Sequence, residues 1–276
     1  MDAPRYEPYR DVAAEPFRWR LGLRPLDLRD WLEVDEHRAA DLARKRAVMA
    51  EHPHTAFRVL PDVETESAEV LAAVVEHLAE HHPDVDLARE REAVRSLHPL
   101  DAAGRLVQED LVIMVERGGR LICGGGSVCF PNRWDLPSKV GRSMAEIHAP
   151  VPGLNDALGE PVDQVLARLA PGRAYWRLGW GILDTDELYQ PLDGTAPARP
   201  AAAAPIDHHL RVERETLRRF PGCVLFTIRT HLTPLATRSV DIAALSAALD
   251  AMPDDVAQYK ELDRVGPAIA AWLREP

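Results

Sequence analysis

The stretch Ser143-Met-Ala-Glu-Ile-His-Ala-Pro-Val-Pro-Gly153 ends a helical pattern on a histidine and then forbids the helix to continue. Pro150 and Pro152 restrict the backbone immediately behind His148. Such a histidine can cap the helix, sit in the core, or serve as a ligand, because neutral imidazole is the commonest metal ligand and needs a fixed ring orientation. The residues alone weigh toward a capping or core role. Upstream, "GGGSVCFPNRW" (124–134) invites comparison with phosphate loops. No Lys-Ser/Thr follows the glycines, and "SVCF" has the character of a strand rather than a helix start. A bulge or a close backbone approach inside a strand is the simpler expectation, and a flat ligand against bare backbone would be one cause of it.

Other combinations of reactive residues are sparse. His81-His82, His208-His209 and His52-x-His54 are near neighbours in sequence, but none of these pairs has the i, i+4 spacing that sets two ligands on one helix face. Cys123, Cys129 and Cys223 form no C-x-x-C, so they build neither a zinc site nor an iron–sulfur cluster. C-x-x-C-H is absent as well, which excludes covalent heme attachment. There is no G-x-S-x-G and no H-E-x-x-H, the signatures of two hydrolase classes. Cys129 with His148 is a conceivable nucleophile–base pair whose proximity the sequence does not establish.

The elements that must position these residues fall into three blocks. Residues 1–25, rich in Pro, Arg and aromatics, suggest an extended arm packed on the body. One long or two broken helices should fill 27–51, with Asp27 and Asp30 as N-caps. "ESAEVLAAVVEHLAEHHP" has helical spacing up to Pro83, and "DLAREREAVRSLHP" is a shorter helix. "EDLVIMVERGGRLICGGGSVCF" predicts a hairpin around Gly118-Gly119. Residues 173–183 and 223–235 predict strands, being rich in β-branched and aromatic types. Between them, 193–207 is a Pro/Ala loop expected to be the most mobile internal segment, and "HLRVERETLRRFP" predicts a helix. The tail predicts two or three amphipathic helices. A hairpin makes the sheet at least partly antiparallel, so the fold class is α+β.

Composition bounds the rest. The chain has 276 residues, 46% of them hydrophobic, enough for a substantial core. A net charge of −11 with no basic block disfavours nucleic acid and suits a cationic small substrate. An odd cysteine count, no signal pattern at the N-terminus and no long apolar run suggest a cytoplasmic protein without a membrane span.

The blocks "LGLRPLDLRDWLEVDEHRAADLARKRAVM", "QEDLVIM", "GGGSVCFPNRWDLPSKVGRSMAEIHAPVPG", "PVDQVLARLAPGRAYWRLGWGILDTDELYQP" and "LRVERETLRRFPGCVLFTIRTHLTPL" occur in that order over roughly 20–236. Together they resemble the heme-dependent oxidative N-demethylase family, alpha (catalytic) subunit. The resemblance implies a PAS-like antiparallel sheet elaborated by N- and C-terminal helices. It divides the chain into a 1–25 arm, a 26–236 heme-binding catalytic domain and a 237–276 helical extension. It implies non-covalent heme b, O2, and a small amine such as dimethylamine that loses a methyl group as formaldehyde, captured by tetrahydrofolate. FMN, NADPH and an iron–sulfur cluster would sit on partner subunits, a separate reductase feeding electrons to a chain that lacks a dinucleotide fingerprint. His148 is then the axial ligand. Lys139, Arg142, Arg218, Arg219 and Arg229 are candidates for the heme propionates, Trp134 for a wall of the pocket, with Trp176 and Trp180 as further aromatics. Glu213 and Glu215 are candidates to hold the amine. Two positions depart from the family pattern: Gly179 stands where Asn is usual, and Glu215 where Gln is usual. Either change would alter the substrate if that side chain touches it. A heme sensor, a protein that has lost heme, and a heme thiolate through Cys129 are the competing classes.

Overall fold

A computed structural model of the chain describes residues 6–13, 17–192, 204–263 and 265–275. In chain order the helices are α1 (Tyr9–Ala13), α2 (Arg38–Glu51), α3 (Pro53–Ala56), α4 (Glu64–His81), α5 (Leu87–Val94), α6 (Pro99–Leu106), α7 (Leu136–Lys139), α8 (Met144–His148), α9 (Leu154–Arg168), α10 (Ile242–Asp250), α11 (Asp254–Tyr259) and α12 (Gly266–Arg274). The strands are β1 (Arg24–Leu26), β2 (Phe57–Val59), β3 (Asp110–Arg117), β4 (Arg120–Ser127), β5 (Ala174–Leu183), β6 (His209–Arg219) and β7 (Cys223–Pro234). All seven strands form one antiparallel sheet in the order β1-β5-β6-β7-β3-β4-β2.

Period-2 alternation divides the sheet's side chains between two differently covered faces. On the back face, Leu111, Ile113 and Val115 of β3 and Leu225 of β7 pack against Val70, Val74 and Leu78 of α4 and Leu100 and Leu106 of α6. Full burial of one such leucine contributes roughly 2 kcal/mol. Ile182, Leu210 and Val212 meet Tyr9, Leu245, Ile269 and Leu273, so α1 and the C-terminal helices share one cluster. On the front face, Val112, Met114 and Val224 pack with Leu136, Leu166 and Leu169, the layer that contains α7, α8 and α9.

Two expected helices differ. Residues 209–219 carry good helix formers, yet they form β6, a central strand. The reason is tertiary. Leu210 and Val212 face one side, while Arg211, Glu213 and Glu215 face the other with ion-pair partners waiting. Residues 27–51 hold only a 3-10 turn capped by Asp27 before α2 starts at Arg38. Arg214 explains the break, because its guanidinium takes the carbonyls of Asp30 and Trp31 at 2.5 and 3.1 Å. The N-terminal arm holds α1, and β1 straddles residue 25. Most of the 193–207 loop lies outside the described residues, and Pro205–Asp207 form a 3-10 turn.

The glycine run behaves as a bulge with close approach. The β3–β4 register shifts between Ile113 and Met114. Gly125 has φ +148°, and a Cβ there would lie 2.5 Å from the Arg58 carbonyl oxygen of β2. A neighbouring strand, not a ligand, lies against the bare backbone. Gly125→Ala should therefore destabilise the fold by about 1–3 kcal/mol. Urea unfolding checks this, and an unchanged midpoint would contradict the close approach.

Candidate functional site

The helix that ends on His148 is short and depends on its ends. Ser143 and Glu146 form a reciprocal capping box at the N-terminus of α8. The backbone N–H of Ser143, then its hydroxyl, hold the Glu146 carboxyl down at about 2. The turn before α8 is tied to β4 through Cys123 N–H to the Arg142 carbonyl and Gly141 N–H to the Cys123 carbonyl, both 2.8 Å. Beyond the helix, the Trp19 indole donates to the Pro152 carbonyl at 2.8 Å, and Gly153 takes φ +65°. The exit from His148 is thus held on both sides.

His148 itself is half-buried, and neither ring nitrogen has a hydrogen-bond partner among the described residues. A capping histidine would bond a terminal carbonyl; this one does not. Burial, followed by the positive charges of Arg177 and Lys139, lowers its pKa to about 4. The imidazole is therefore neutral at ordinary pH, with one lone-pair nitrogen that no described residue engages.

Arg177 links the histidine to the front of the sheet. The register sets Tyr175, Arg177, Gly179 and Gly181 of β5 on the same face as Leu217, Glu215, Glu213 and Arg211 of β6. Arg177 Nε donates to Glu215 Oε2 in a short contact, and Arg211 Nε donates to Glu213 Oε1 at 2.8 Å. Arg211 is anchored in turn by the Phe130 carbonyl at 2.6 Å and Thr230 Oγ1 at 3.2 Å. Each carboxylate therefore spends one oxygen on an arginine. The other oxygens, Oε1 of Glu215 and Oε2 of Glu213, lie 3.1 and 3.6 Å from the point a Cβ at Gly179 would occupy. No hydrogen bond among the described residues reaches either of them. Glu215 is only 9% exposed, and burial raises its pKa against the opposing charge of Arg177. Burial lowers the pKa of Lys260, on the turn after α11, against the opposing charges of Glu213 and Glu215, and its ammonium donates to the Trp180 carbonyl at 2.7 Å.

The same face is incompletely covered at its centre. Leu217, Phe226 and Ile228 are half-buried although β6 and β7 are central strands. On the back face, Thr216, Leu225 and Thr227 are fully buried.

The residues expected to act together are divided between the two faces. Lys139 lies close enough to His148 to influence it, and Trp134 packs in the front-face layer. Arg219 shares the face of Glu215 by register. Arg142 is exposed and pairs with Glu146 at 3.2 Å. Arg229 points to the back face, buried between Asp35 at 2.7 Å and Asp41 at 3.2 Å, so it is not brought to His148. Arg218 likewise covers the Trp31 ring on the back at 4.2 Å. Trp176 and Trp180 face back too, against Tyr6 and Tyr9. Burial pushes the Cys129 thiol up to about 12, which disfavours a thiolate ligand. His77, four residues before His81, forms an i, i+4 pair with it, the ring centroids 4.8 Å apart. No metal-binding group of three or more His, Cys, Asp or Glu occurs among the described residues.

Arg177, Arg211 and Lys260 are the members sequence reasoning missed. For Arg177 a signal exists: in "YWRLGWG" every second residue, Tyr175, Arg177, Gly179 and Gly181, is polar-tipped, charged or bare. Lys260 has no such signal.

A family model described as "Haem-dependent oxidative N-demethylase, alpha subunit-like" matches residues 22–270. The His148 environment yields a prediction for the metal-free protein. A histidine whose pKa is lowered on folding stabilises the native state above its unfolded value near 6.5 and loses that contribution as pH falls toward 4. NMR titration should find the His148 ring neutral down to pH about 5, and Arg177→Met should raise its midpoint. A wild-type midpoint at 6.5 would contradict this environment.

Proposed function

The chain belongs to the heme-dependent oxidative N-demethylase, alpha subunit-like family, and from that premise we propose that it oxidatively removes a methyl group from a small secondary amine. One observation carries the reading. An unpartnered, neutral His148 and two converging carboxylate oxygens belong to one sheet face, joined through Arg177.

The residues present fit heme. A neutral imidazole whose lone-pair nitrogen has no partner among the described residues would let His148 hold the heme iron. The half-buried Leu217, Phe226 and Ile228 offer apolar surface that a flat macrocycle would cover. Lys139, near His148, and Arg219, on the front face, would receive propionates, with the exposed Arg142 next to Lys139. Trp134 would wall the pocket. Non-covalent heme b is favoured because no C-x-x-C-H is present. The PAS-like reading is supported by the order β4-β3-β7-β6-β5, a hairpin and a three-stranded meander joined by the helices that carry His148.

Bound heme would supply the oxygen chemistry, with O2 as co-substrate. The chain's own residues hold and orient. His148 would fix the iron from the α8 side. Arg177 and Arg211 would hold Glu215 and Glu213 still by one oxygen each. A secondary ammonium has two N–H donors, and the two free oxygens above Gly179 would accept one each. Gly179, where the family usually carries Asn, leaves the amine room to approach backbone.

Electrons would come from a separate reductase, with NADPH, FMN and an iron–sulfur cluster on partner subunits, consistent with the alpha-subunit-like description. Formaldehyde would be the second product. A cytoplasmic setting fits three buried, unpaired cysteines. No helix among the described residues is long and apolar enough to cross a membrane.

Expression with ample heme tests the proposal. The wild type should show a Soret band and, with dimethylamine and a reductase, release formaldehyde. His148→Ala should keep its far-ultraviolet circular dichroism but bind hemin more than about 100-fold more weakly. An unchanged heme spectrum in that variant would overturn the ligand assignment.

A further inference from the structure

Lys260 borders the acidic slot without holding either carboxylate in an ion pair among the described residues. It is a part-buried lysine on the turn after α11, and that turn is strapped down: Arg133 donates to the Lys260 carbonyl at 3.1 Å and pairs with Glu261 at 2.7 Å. Its ammonium has three donors, and one goes to the Trp180 carbonyl at 2.7 Å. No carboxylate lies within ion-pair distance of it among the described residues. It is nevertheless charge-coupled to Glu213 and Glu215, the two acceptors above Gly179.

The charges about the slot do not balance. Arg177 and Arg211 pair with Glu215 and Glu213, and Lys260, whose Nζ lies 5.9 Å from the Trp180 ring centroid, adds a third cation within reach of their field, three cations against two carboxylates. Arg133 pairs with Glu261, yet its positive charge still acts on Lys260. A bare ammonium entering the slot would make four cations against two carboxylates in a part-buried place, which costs desolvation and repulsion. A ligand that brings its own carboxylate would leave the excess at one and use a spare donor of Lys260. Space is available on the same strand: a Cβ at Gly181, two residues past Gly179 on the same face, would meet no atom within 4 Å.

We propose that the amine taken by this site is zwitterionic, an N-methylated amino acid whose secondary ammonium lies between Glu213 and Glu215 and whose carboxylate is received by Lys260. The assignment rests on the demethylase reading above and narrows its substrate class. It makes Lys260, contributed by the C-terminal helical segment, a specificity-determining residue.

Calorimetric titration of the full chain, purified with heme, tests this with N-methylglycine, dimethylammonium and acetate as probes. N-methylglycine should bind the wild type about tenfold or more tighter than either other probe. Lys260→Met should reduce N-methylglycine to the level of dimethylammonium without weakening dimethylammonium. Lys260→Arg should restore the preference, which a merely structural role would not require. Dimethylammonium binding as tightly as N-methylglycine, or a Lys260→Met loss equal for both amines, would overturn the zwitterion assignment and leave amine demethylation standing. Binding of neither amine by the heme-loaded wild type would overturn both.

Discussion

Antiparallel pairing of β5 with β6 sets Arg177 opposite Glu215 and Gly179 opposite Glu213, and everything at the front of the sheet follows from that register. A slip of either strand by one residue would send its two members to the other face and part them from their partners. The register is held from behind. Ile182, Leu210 and Val212 are buried against α1, α10 and α12, so the apolar alternation of the strands fixes which residues remain for the front. The geometry of the acidic slot is thus a consequence of hydrophobic packing on the opposite side of the same strands.

The two faces treat buried charge differently. On the back, both oxygens of Glu33 are taken, one by the Tyr6 hydroxyl at 2.6 Å and the other by His231 at 2.9 Å. Burial alone would raise the Glu33 pKa, but those bonds and the Arg214 charge hold it at about 2. Asp35 is closed in the same way by Gln108 and Arg229. Such pairs are expensive to bury and tolerable only when fully satisfied. They fasten the segment before α2 to β6 and β7. On the front, Glu213 and Glu215 each keep one oxygen free over a glycine. The back is not fully satisfied either, since Glu109 Oε2 and Arg229 Nε are buried without a partner among the described residues; the front differs in that its two unpartnered oxygens converge over one glycine.

Much of this was legible in the residues. The hairpin at Gly118-Gly119, the strands β5 and β7, the α4 helix and the helical tail all follow from period and turn chemistry. The glycine run was recognisable as a bulge, and His148 as a histidine with a stiffened exit. β6 was not legible as a strand, because Arg, Glu and Leu favour a helix when each is weighed by itself. Its charges are tolerated in a sheet only because Arg177 and the carbonyls of Asp30 and Trp31 wait at the right register. Arg229 illustrates the converse, since an arginine on the strand next to β6 looks available until Asp35 and Asp41 are seen to hold it.

By itself the sequence determined the family, the α+β class, the local elements and the one histidine whose backbone is held rigid. Those properties depend on neighbours in the chain, or on ordered blocks of residues compared as strings. Only the tertiary structure decided which face each charge serves, that Glu213 and Glu215 are each half-occupied by an arginine, and that Lys260 joins them from 45 residues beyond Glu215. Such facts depend on register and on packing between distant segments. A side chain's chemistry is set by what surrounds it, and those surroundings are assembled only when the sheet closes.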